Sequence, residues 1–75
     1  MSTKDIFRKN LKKYRLERKL TQEQLSEMVE ITTDYSSEIE RGLRTPSFKR
    51  MDMIAKVLGI EVYKLFMLED VSFES

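Results

Sequence analysis

Cysteine and histidine are both absent from this 75-residue sequence. Without cysteine, the chain has no disulfide and no thiolate metal site, which is typical of proteins that work in a reducing cytoplasm. Without histidine, it has neither the usual base of a hydrolase triad nor an imidazole ligand for a metal. The remaining catalytic options are carboxylates, lysine, tyrosine and serine, and the acidic residues alone give an enzyme little support. We therefore predict that the protein is not an enzyme and holds no metal or cofactor.

Long apolar runs, glycine and proline are scarce as well. No run approaches the ~20 apolar residues of a membrane-spanning helix, and the basic N-terminus leads into a charged segment where a signal peptide would be hydrophobic. We therefore expect a soluble, cytoplasmic protein with no membrane partner and no evident small-molecule ligand. Two glycines, one proline and 36% charged residues favour helices over a turn-rich β fold. The expected fold is a single all-α domain over residues 1–75, built of five helices.

Capping residues and the helical spacing of apolar side chains mark the first two helices. Helix one is predicted to begin at a cap at Ser2 or Thr3 and to end near Arg18. Helix two is predicted to begin after Thr21, which stands three residues before Gln24 as in a capping box. A short turn then separates helix two from helix three.

The later helices are bounded by hydroxyl caps and by glycines. Helix three is predicted to run from a cap at Thr32 to Gly42, which can adopt the left-handed conformation that ends helices. Helix four is capped by either Thr45 or Ser47 and closes at Gly59, and a fifth, shorter helix follows. The side chains predicted to face the core are Ile6, Phe7, Leu11, Tyr14, Leu25, Met28, Val29, Ile39, Phe48, Met51, Ile54, Ala55, Leu58, Ile60, Val62, Leu65 and Phe66.

Helices two and three form a helix-turn-helix unit over residues 21–42, with a turn of three or four residues between them. The pattern alone is weak evidence, since any helical bundle has such corners. Three stretches strengthen it: "NLKKYRLERKLTQEQLSEMVEI", "YSSEIERGLRTPS" and "IAKVLGI". Together they resemble the phage repressor and Cro-like helix-turn-helix family, also called XRE-like, from about Ile6 to Phe66. The resemblance implies a compact, lambda-repressor-like arrangement of five helices that binds double-stranded DNA.

The resemblance also assigns roles to residues around the unit. Gln22, at the start of helix two, matches a position that commonly touches a DNA phosphate, and the free N–H groups of a helix N-terminus favour the same contact. Arg15 and Glu40 match a pair that joins helix one to the end of helix three, the recognition helix. We expect that pair to be structural. Removing one partner of such a partly buried pair would leave the other charge unpaired, at a cost on the order of 3 kcal/mol.

The net charge is only +1, but the basic residues are unevenly placed. Residues 1–20 carry eight basic and two acidic side chains, and residues 41–50 carry four basic and no acidic ones. Both segments flank the helix-turn-helix unit, so positive potential is expected on the side that faces phosphates, although the lysines of helix one could equally form a solvated face. Arg44 lies in the loop where the family contacts the DNA backbone and is the best phosphate ligand, with Arg41 and Lys49 as weaker candidates.

Helix three carries the residues that match the base-reading positions of the family. None of these residues is basic, so the bidentate contact of arginine with guanine is missing. An acid inside the major groove can accept a hydrogen bond from the amino group of cytosine. The two acids are therefore either cytosine selectors or solvated side chains that the groove tolerates. The base-reading positions are Thr33, Asp34, Ser37 and Glu38, and Tyr35 lies at their rim within reach of a phosphate or a base edge.

Two residues depart from the family pattern. Glu30 stands in the turn where relatives often have glycine, so a left-handed backbone there would carry a strain of about 1 kcal/mol. Ser36 replaces a usual aliphatic core residue. Both departures weaken the packing of helix three and leave open that this chain has drifted from DNA recognition.

The sequence favours a DNA-binding regulator that acts as a homodimer, because one small module makes few base contacts and two half-sites lie about 34 Å apart. The alternative is an antitoxin-like protein-interaction module whose acidic helix three meets a basic surface. Apolar residues near the end of the chain, in the tail 67–75 and just before it, would form the dimer interface or would pack on their own chain. They are Leu65, Met67, Leu68, Val71 and Phe73.

Overall fold

The computed structural model describes residues 1–68, and these form a bundle of helices without any β-strand. The elements are α1 (Thr3–Glu17), α2 (Gln22–Met28), α3 (Thr33–Glu40), α4 (Phe48–Leu58) and a 3₁₀ helix (Val62–Phe66). The all-α prediction is confirmed, but the prediction of a fifth α-helix is wrong. The last element spans only 5 residues and closes with an i to i+3 bond from Lys64 N to Glu61 O at 3.0 Å. Such short pieces commonly tighten into 3₁₀ geometry.

Each α-helix begins at a hydroxyl residue whose side chain accepts a hydrogen bond from a backbone N–H three residues further on. The cap of α1 is Ser2 rather than Thr3, and the cap of α4 is Ser47 rather than Thr45. At α2 the full capping box is present, because the Gln24 side chain also accepts from the Thr21 N–H at 2.9 Å. The sequence therefore predicted the starts of these helices to within one or two residues.

Left-handed backbone conformations mark the turns. Gly42 has a φ of 80° and Gly59 has a φ of 71°, which confirms both as helix-ending glycines. Glu30 has a φ of 61°, so this side chain does bear the strain that glycine would avoid, about 1 kcal/mol. Lys19, between α1 and α2, has a φ of 59°, which no sequence signal had indicated.

The core is built from apolar stripes at helical spacing. In α1 the buried pair is Phe7 and Leu11, which lie four residues apart on one face. Two predicted core residues are exposed instead: Met28 by 52% and Phe48 by 85%. Each stands at the end of its helix, where a side chain projects past the packed face. The buried apolar side chains are Phe7, Leu11, Leu25, Val29, Ile39, Met51, Ile54, Ala55, Leu58 and Leu65.

Asn10 joins α1 to the C-terminal segment, a role that the apolar pattern did not indicate. It is buried, and its Nδ2 donates to the Leu65 carbonyl at 3.0 Å and to the Met67 carbonyl at 2.8 Å. One side-chain amide therefore serves two carbonyls at the end of the 3₁₀ helix. Beside it, the rings of Phe7 and Phe66 stack with centroids 5.4 Å apart.

Asn10→Ala is expected to destabilise the fold by about 1–3 kcal/mol, because it leaves carbonyls at a partly buried site without their donor. Chemical denaturation monitored by circular dichroism measures this loss. Lys9→Ala, which changes an exposed neighbour on the same helix, is the control and should change the stability by less than about 0.5 kcal/mol. Equal losses for both variants would contradict an anchoring role for the amide.

Candidate nucleic-acid interface

The helix-turn-helix unit consists of α2, four turn residues and α3, and its inner side is closely packed. Leu25, Val29 and Ile39 are buried there, and the Ile31 N–H bonds to the Ser26 carbonyl at 2.9 Å across the turn. Ser36, the residue that departs from the family pattern, is 2% exposed and therefore occupies a core position. The packing fixes which side of α3 faces outward.

The outer side of α3 carries all of the predicted base-reading residues. Thr33 and Asp34 are exposed, while Ser37 and Glu38 are half-buried. Asp34, Ser37 and Glu38 lie one, four and five residues after Thr33, so the four positions share one face of the helix. The buried residues of α3 are Ser36, Ile39 and Glu40, and the first two lie on the side away from these positions. The structure therefore brings the predicted residues together on one surface, which we call the α3 outer face.

The predicted ion pair between Arg15 and Glu40 is present and buried. Arg15 Nε lies 2.6 Å from Glu40 Oε2, and Arg15 Nη2 lies 3.1 Å from Oε1, so the contact is bidentate. The two side chains are only 8% and 4% exposed. Arg15 Nη1 also donates to the Leu20 carbonyl at 2.7 Å. The pair fixes the end of α3 against α1 and takes Glu40 out of any surface that meets a partner.

Gln22, predicted to touch a DNA phosphate, already has a partner within the protein. Its Nε2 donates to Glu40 Oε1 at 3.0 Å, and the residue is half-buried. No local sequence pattern indicates this contact, because 18 residues separate the two side chains. A side-chain amide carries two N–H donors, so the phosphate contact of Gln22 stays a prediction.

Arg44 and Glu38, which the sequence assigned to separate tasks, form an ion pair. Arg44 Nε donates to Glu38 Oε1 at 2.6 Å, and the guanidinium lies 5.4 Å from the centre of the Tyr35 ring. The Arg44 side chain is 60% exposed and that of Glu38 is 33% exposed. The loop after α3 thus folds its arginine back onto the α3 outer face.

Several basic side chains counted toward the positive surface instead cap helix ends. Lys4 Nζ donates to the Gly42 carbonyl at 3.0 Å, after the end of α3. Arg18 Nε donates to the Leu58 carbonyl at 2.9 Å, at the end of α4, and Arg50 Nη1 reaches the carbonyl that follows α2 at 3.0 Å. Cations are favoured at helix C-termini, where carbonyl groups lack partners. The charge count therefore overstated how many cations are available to a ligand.

Arg8 lies beside the turn that follows α3, together with Lys4. A Cβ atom built at Gly42 would lie 3.1 Å from Arg8 Cδ. Arg8 Nε also donates to Asp5 Oδ1 at 3.0 Å, and this hydrogen bond is the main reason that the pKa of Asp5 is lowered from its ordinary value. At a pH above the ordinary pKa of a carboxyl group, this interaction stabilises the fold. The stabilisation is lost as the pH falls through the lowered pKa.

The remaining predicted contact residues divide into exposed, buried and undescribed positions. Arg41 and Lys49 are exposed, and their phosphate contacts stay predictions. Leu65 is 0% exposed, so its assignment to a dimer interface is wrong: it belongs to the core of its own chain. Met67 is 43% and Leu68 is 53% exposed. Two further predicted interface residues, Val71 and Phe73, lie outside the described residues.

A cleft of about 410 Å³ opens between α2 and α3 beside the α3 outer face, and sequence reasoning had not indicated it. Two exposed acids of α2, Glu23 and Glu27, line it together with Thr33. Within residues 1–68, no group of three or more acidic side chains is placed to hold a metal ion. No helix in the same range combines the length and the apolar character that crossing a membrane requires.

The sequence of this chain is similar to those of known helix-turn-helix proteins. A family model described as "Helix-turn-helix" matches residues 11–65. The immunity repressor protein of Bacillus phage phi105 is 42% identical over 52 residues, which are 69% of this chain. That match spans only 36% of the phage protein. An uncharacterized HTH-type transcriptional regulator of Methanocaldococcus jannaschii is 35% identical over 64 residues, covering 85% of this chain and 97% of the relative.

Solved structures show the same fold. A hypothetical transcription factor, NHTF, from Neisseria superimposes with a TM-score of 0.87 at 20% identity, over 93% of this chain and 80% of that protein. The clp gene regulator ClgR from Corynebacterium glutamicum superimposes with a TM-score of 0.81 at 23% identity, over 87% of this chain and 69% of that protein. These relatives and neighbours are transcription regulators, a class without enzymatic activity. The chain belongs to the XRE-like helix-turn-helix family of DNA-binding transcription regulators.

Proposed function

We propose that the protein is a sequence-specific transcription regulator that acts as a homodimer and places α3 in the major groove of DNA. The observation that carries this proposal is the α3 outer face: Thr33 and Asp34 are exposed on it, while the end of the helix is held by the buried pair of Arg15 and Glu40. An α-helix with its side chains is about 10–12 Å in diameter, and the major groove, about 12 Å wide, admits it. The cytoplasm is the proposed place of action.

In this proposal, base reading and phosphate binding are done by different residues. The α3 outer face reads base edges, with Asp34 and Glu38 as acceptors for cytosine amino groups and Thr33 as a methyl contact for thymine. Phosphate contacts come from residues around it, which position the helix without reading sequence. The proposed phosphate ligands are Gln22, Tyr35, Arg41, Arg44 and Lys49.

The size of one copy suits the proposed homodimer. One domain measures 39 × 23 × 20 Å, and successive turns of one duplex face are about 34 Å apart. Two copies side by side can therefore present their α3 helices to consecutive major grooves. Met67 and Leu68, exposed beyond the 3₁₀ helix, are the described residues that we assign to the interface.

Arg44→Ala is expected to weaken binding to every duplex and, on duplexes selected for binding, to lower the salt slope by about 0.9, the amount expected for one lost phosphate contact. Fluorescence anisotropy at several salt concentrations, on duplexes selected from a random pool and on unselected ones, measures both quantities. Lys56→Ala removes the same charge from an exposed site on α4 and is the control, with little expected change. Glu38→Ala should instead change the ranking of sequences. Identical losses on every duplex for the Arg44 and Glu38 variants would contradict the division of roles.

A second function, an antitoxin-like protein-interaction module, is favoured by the acidity of the helix-turn-helix unit. Residues 21–40 carry six acidic side chains and no basic ones. Glu23, Glu27 and Asp34 are exposed and would suit a basic protein surface. The same anisotropy experiment separates the two functions, because a module that has lost DNA reading gives no measurable binding to random duplex even at low salt.

A further inference from the structure

We infer that Glu38 competes with DNA phosphate for Arg44, and that this competition lowers the affinity of the protein for DNA whose bases do not engage Glu38. The inference rests on the proposed function and deepens it. It makes Glu38 a positioning residue for Arg44 as well as a base-reading residue. Together the two side chains would lower the affinity for DNA of the wrong sequence.

The geometry of the pair supports this role. The Glu38 carboxylate lies 2.6 Å from Arg44 Nε, so it occupies part of the guanidinium edge that a phosphate would use. The Tyr35 ring, 5.4 Å from the guanidinium, supports the same arrangement. Because the Arg44 side chain is 60% exposed, it can leave the carboxylate without any rearrangement of the core.

On a duplex without a suitable base, moving Arg44 to a phosphate leaves Glu38 unpaired beside the negatively charged backbone. The new contact is then offset by the lost ion pair and by repulsion between like charges. On a duplex that presents a cytosine amino group, Glu38 accepts a hydrogen bond from the base while Arg44 takes the phosphate. Both side chains keep a partner only in the second case, so the pair widens the difference between right and wrong sequences.

The effect on binding is modest, because exposed ion pairs are weak. Pairs of this exposure contribute enough to change a binding constant by about 2- to 5-fold. Glu38→Gln removes the charge and keeps the size of the side chain. This variant is therefore expected to bind random-sequence duplex about 2- to 5-fold more tightly than a variant that merely loses one acid elsewhere. Its salt slope should also steepen by up to about 0.9, since Arg44 becomes available to a phosphate.

The test is a double-mutant cycle measured by anisotropy on random duplex and on a duplex selected with the wild-type protein. The variants are Glu38→Gln, Arg44→Ala and their combination. Glu27→Gln is the matched control, because Glu27 is an exposed acid of the same helix-turn-helix unit and no hydrogen bond or ion pair joins it to Arg44 within residues 1–68. With Arg44 present, Glu38→Gln should exceed the control on random duplex. In the Arg44→Ala background, it should equal the control.

Two outcomes would overturn the inference and leave the proposed function standing. One is a gain for Glu38→Gln that only equals the gain for Glu27→Gln, which would mean that net charge alone acts. The other is the same gain with and without Arg44. If no variant binds any duplex at low salt, the proposed function fails, and the inference fails with it. Circular dichroism of each variant shows that it is folded, and Glu38→Ala provides a second substitution that must give the same sign.

Discussion

Arg15→Ala is expected to destabilise the protein by about 3–5 kcal/mol, the largest effect that we predict for a single polar substitution. The variant leaves the Glu40 carboxylate, with its side chain 4% exposed, without the guanidinium that holds both of its oxygens. Gln22 remains as a donor, but it is neutral. Small domains have only about 5–15 kcal/mol of unfolding free energy, so a large part of it would be lost. Urea denaturation followed by circular dichroism measures the change.

A double variant tests whether the loss comes from the stranded charge. Arg15→Met combined with Glu40→Leu replaces both ions with apolar side chains of similar size, and such replacements are often neutral or stabilising. The double variant should therefore be more stable than Arg15→Ala alone. Glu61→Ala, at an exposed position, is the surface control and should change the stability by less than about 0.5 kcal/mol. A loss below about 1 kcal/mol for Arg15→Ala would mean that the pair contributes little to the fold.

Leu65→Ala is expected to cost about 2–5 kcal/mol, because it removes a fully buried side chain and leaves a cavity where the 3₁₀ helix packs on α1 and α4. The contact lies within one chain, so the loss should not depend on protein concentration. Thermal or urea denaturation at two protein concentrations, differing by about 50-fold, measures both the size and the concentration dependence of the loss.

Leu68→Ala is the matched control, because Leu68 is 53% exposed and only three residues away. Its effect on a single folded copy should be within about 0.5 kcal/mol. At the higher concentration a loss in the Leu68 variant would support the proposed dimer interface. If the loss in the Leu65 variant grew with concentration, Leu65 would contribute to contacts between copies after all.

Local features of the fold could be predicted from the sequence because they depend on neighbouring residues. A hydroxyl cap bonds to an N–H three residues away, as at Thr32, and glycine supplies the left-handed turn at Gly42 and Gly59. Apolar spacing likewise identified most of the core. Its errors, Met28 and Phe48, lie at helix ends, where the direction of a side chain depends on what packs beside it rather than on spacing.

The α3 outer face was predicted as a set of residues, but its electrostatics were not. Arg44 was expected to reach for phosphate, and the structure pairs it with Glu38 of the same surface. The helix-one cations were counted as a positive patch, and Lys4 and Arg18 are instead bonded to carbonyl groups of other segments. A charge count treats every side chain as available, whereas folding brings partners together and removes some of them from contact with a ligand.

By itself the sequence determined the helix starts to within one or two residues, the two glycine turns, most of the core and the family, since all of these depend on spacings of a few residues. Only the tertiary structure decided that Asn10 holds carbonyls 55 and 57 residues away and that Glu38 holds Arg44. It also decided that Leu65 is core and not interface. The physical reason is that such contacts depend on where distant segments meet, and that is set by the packing of the whole bundle.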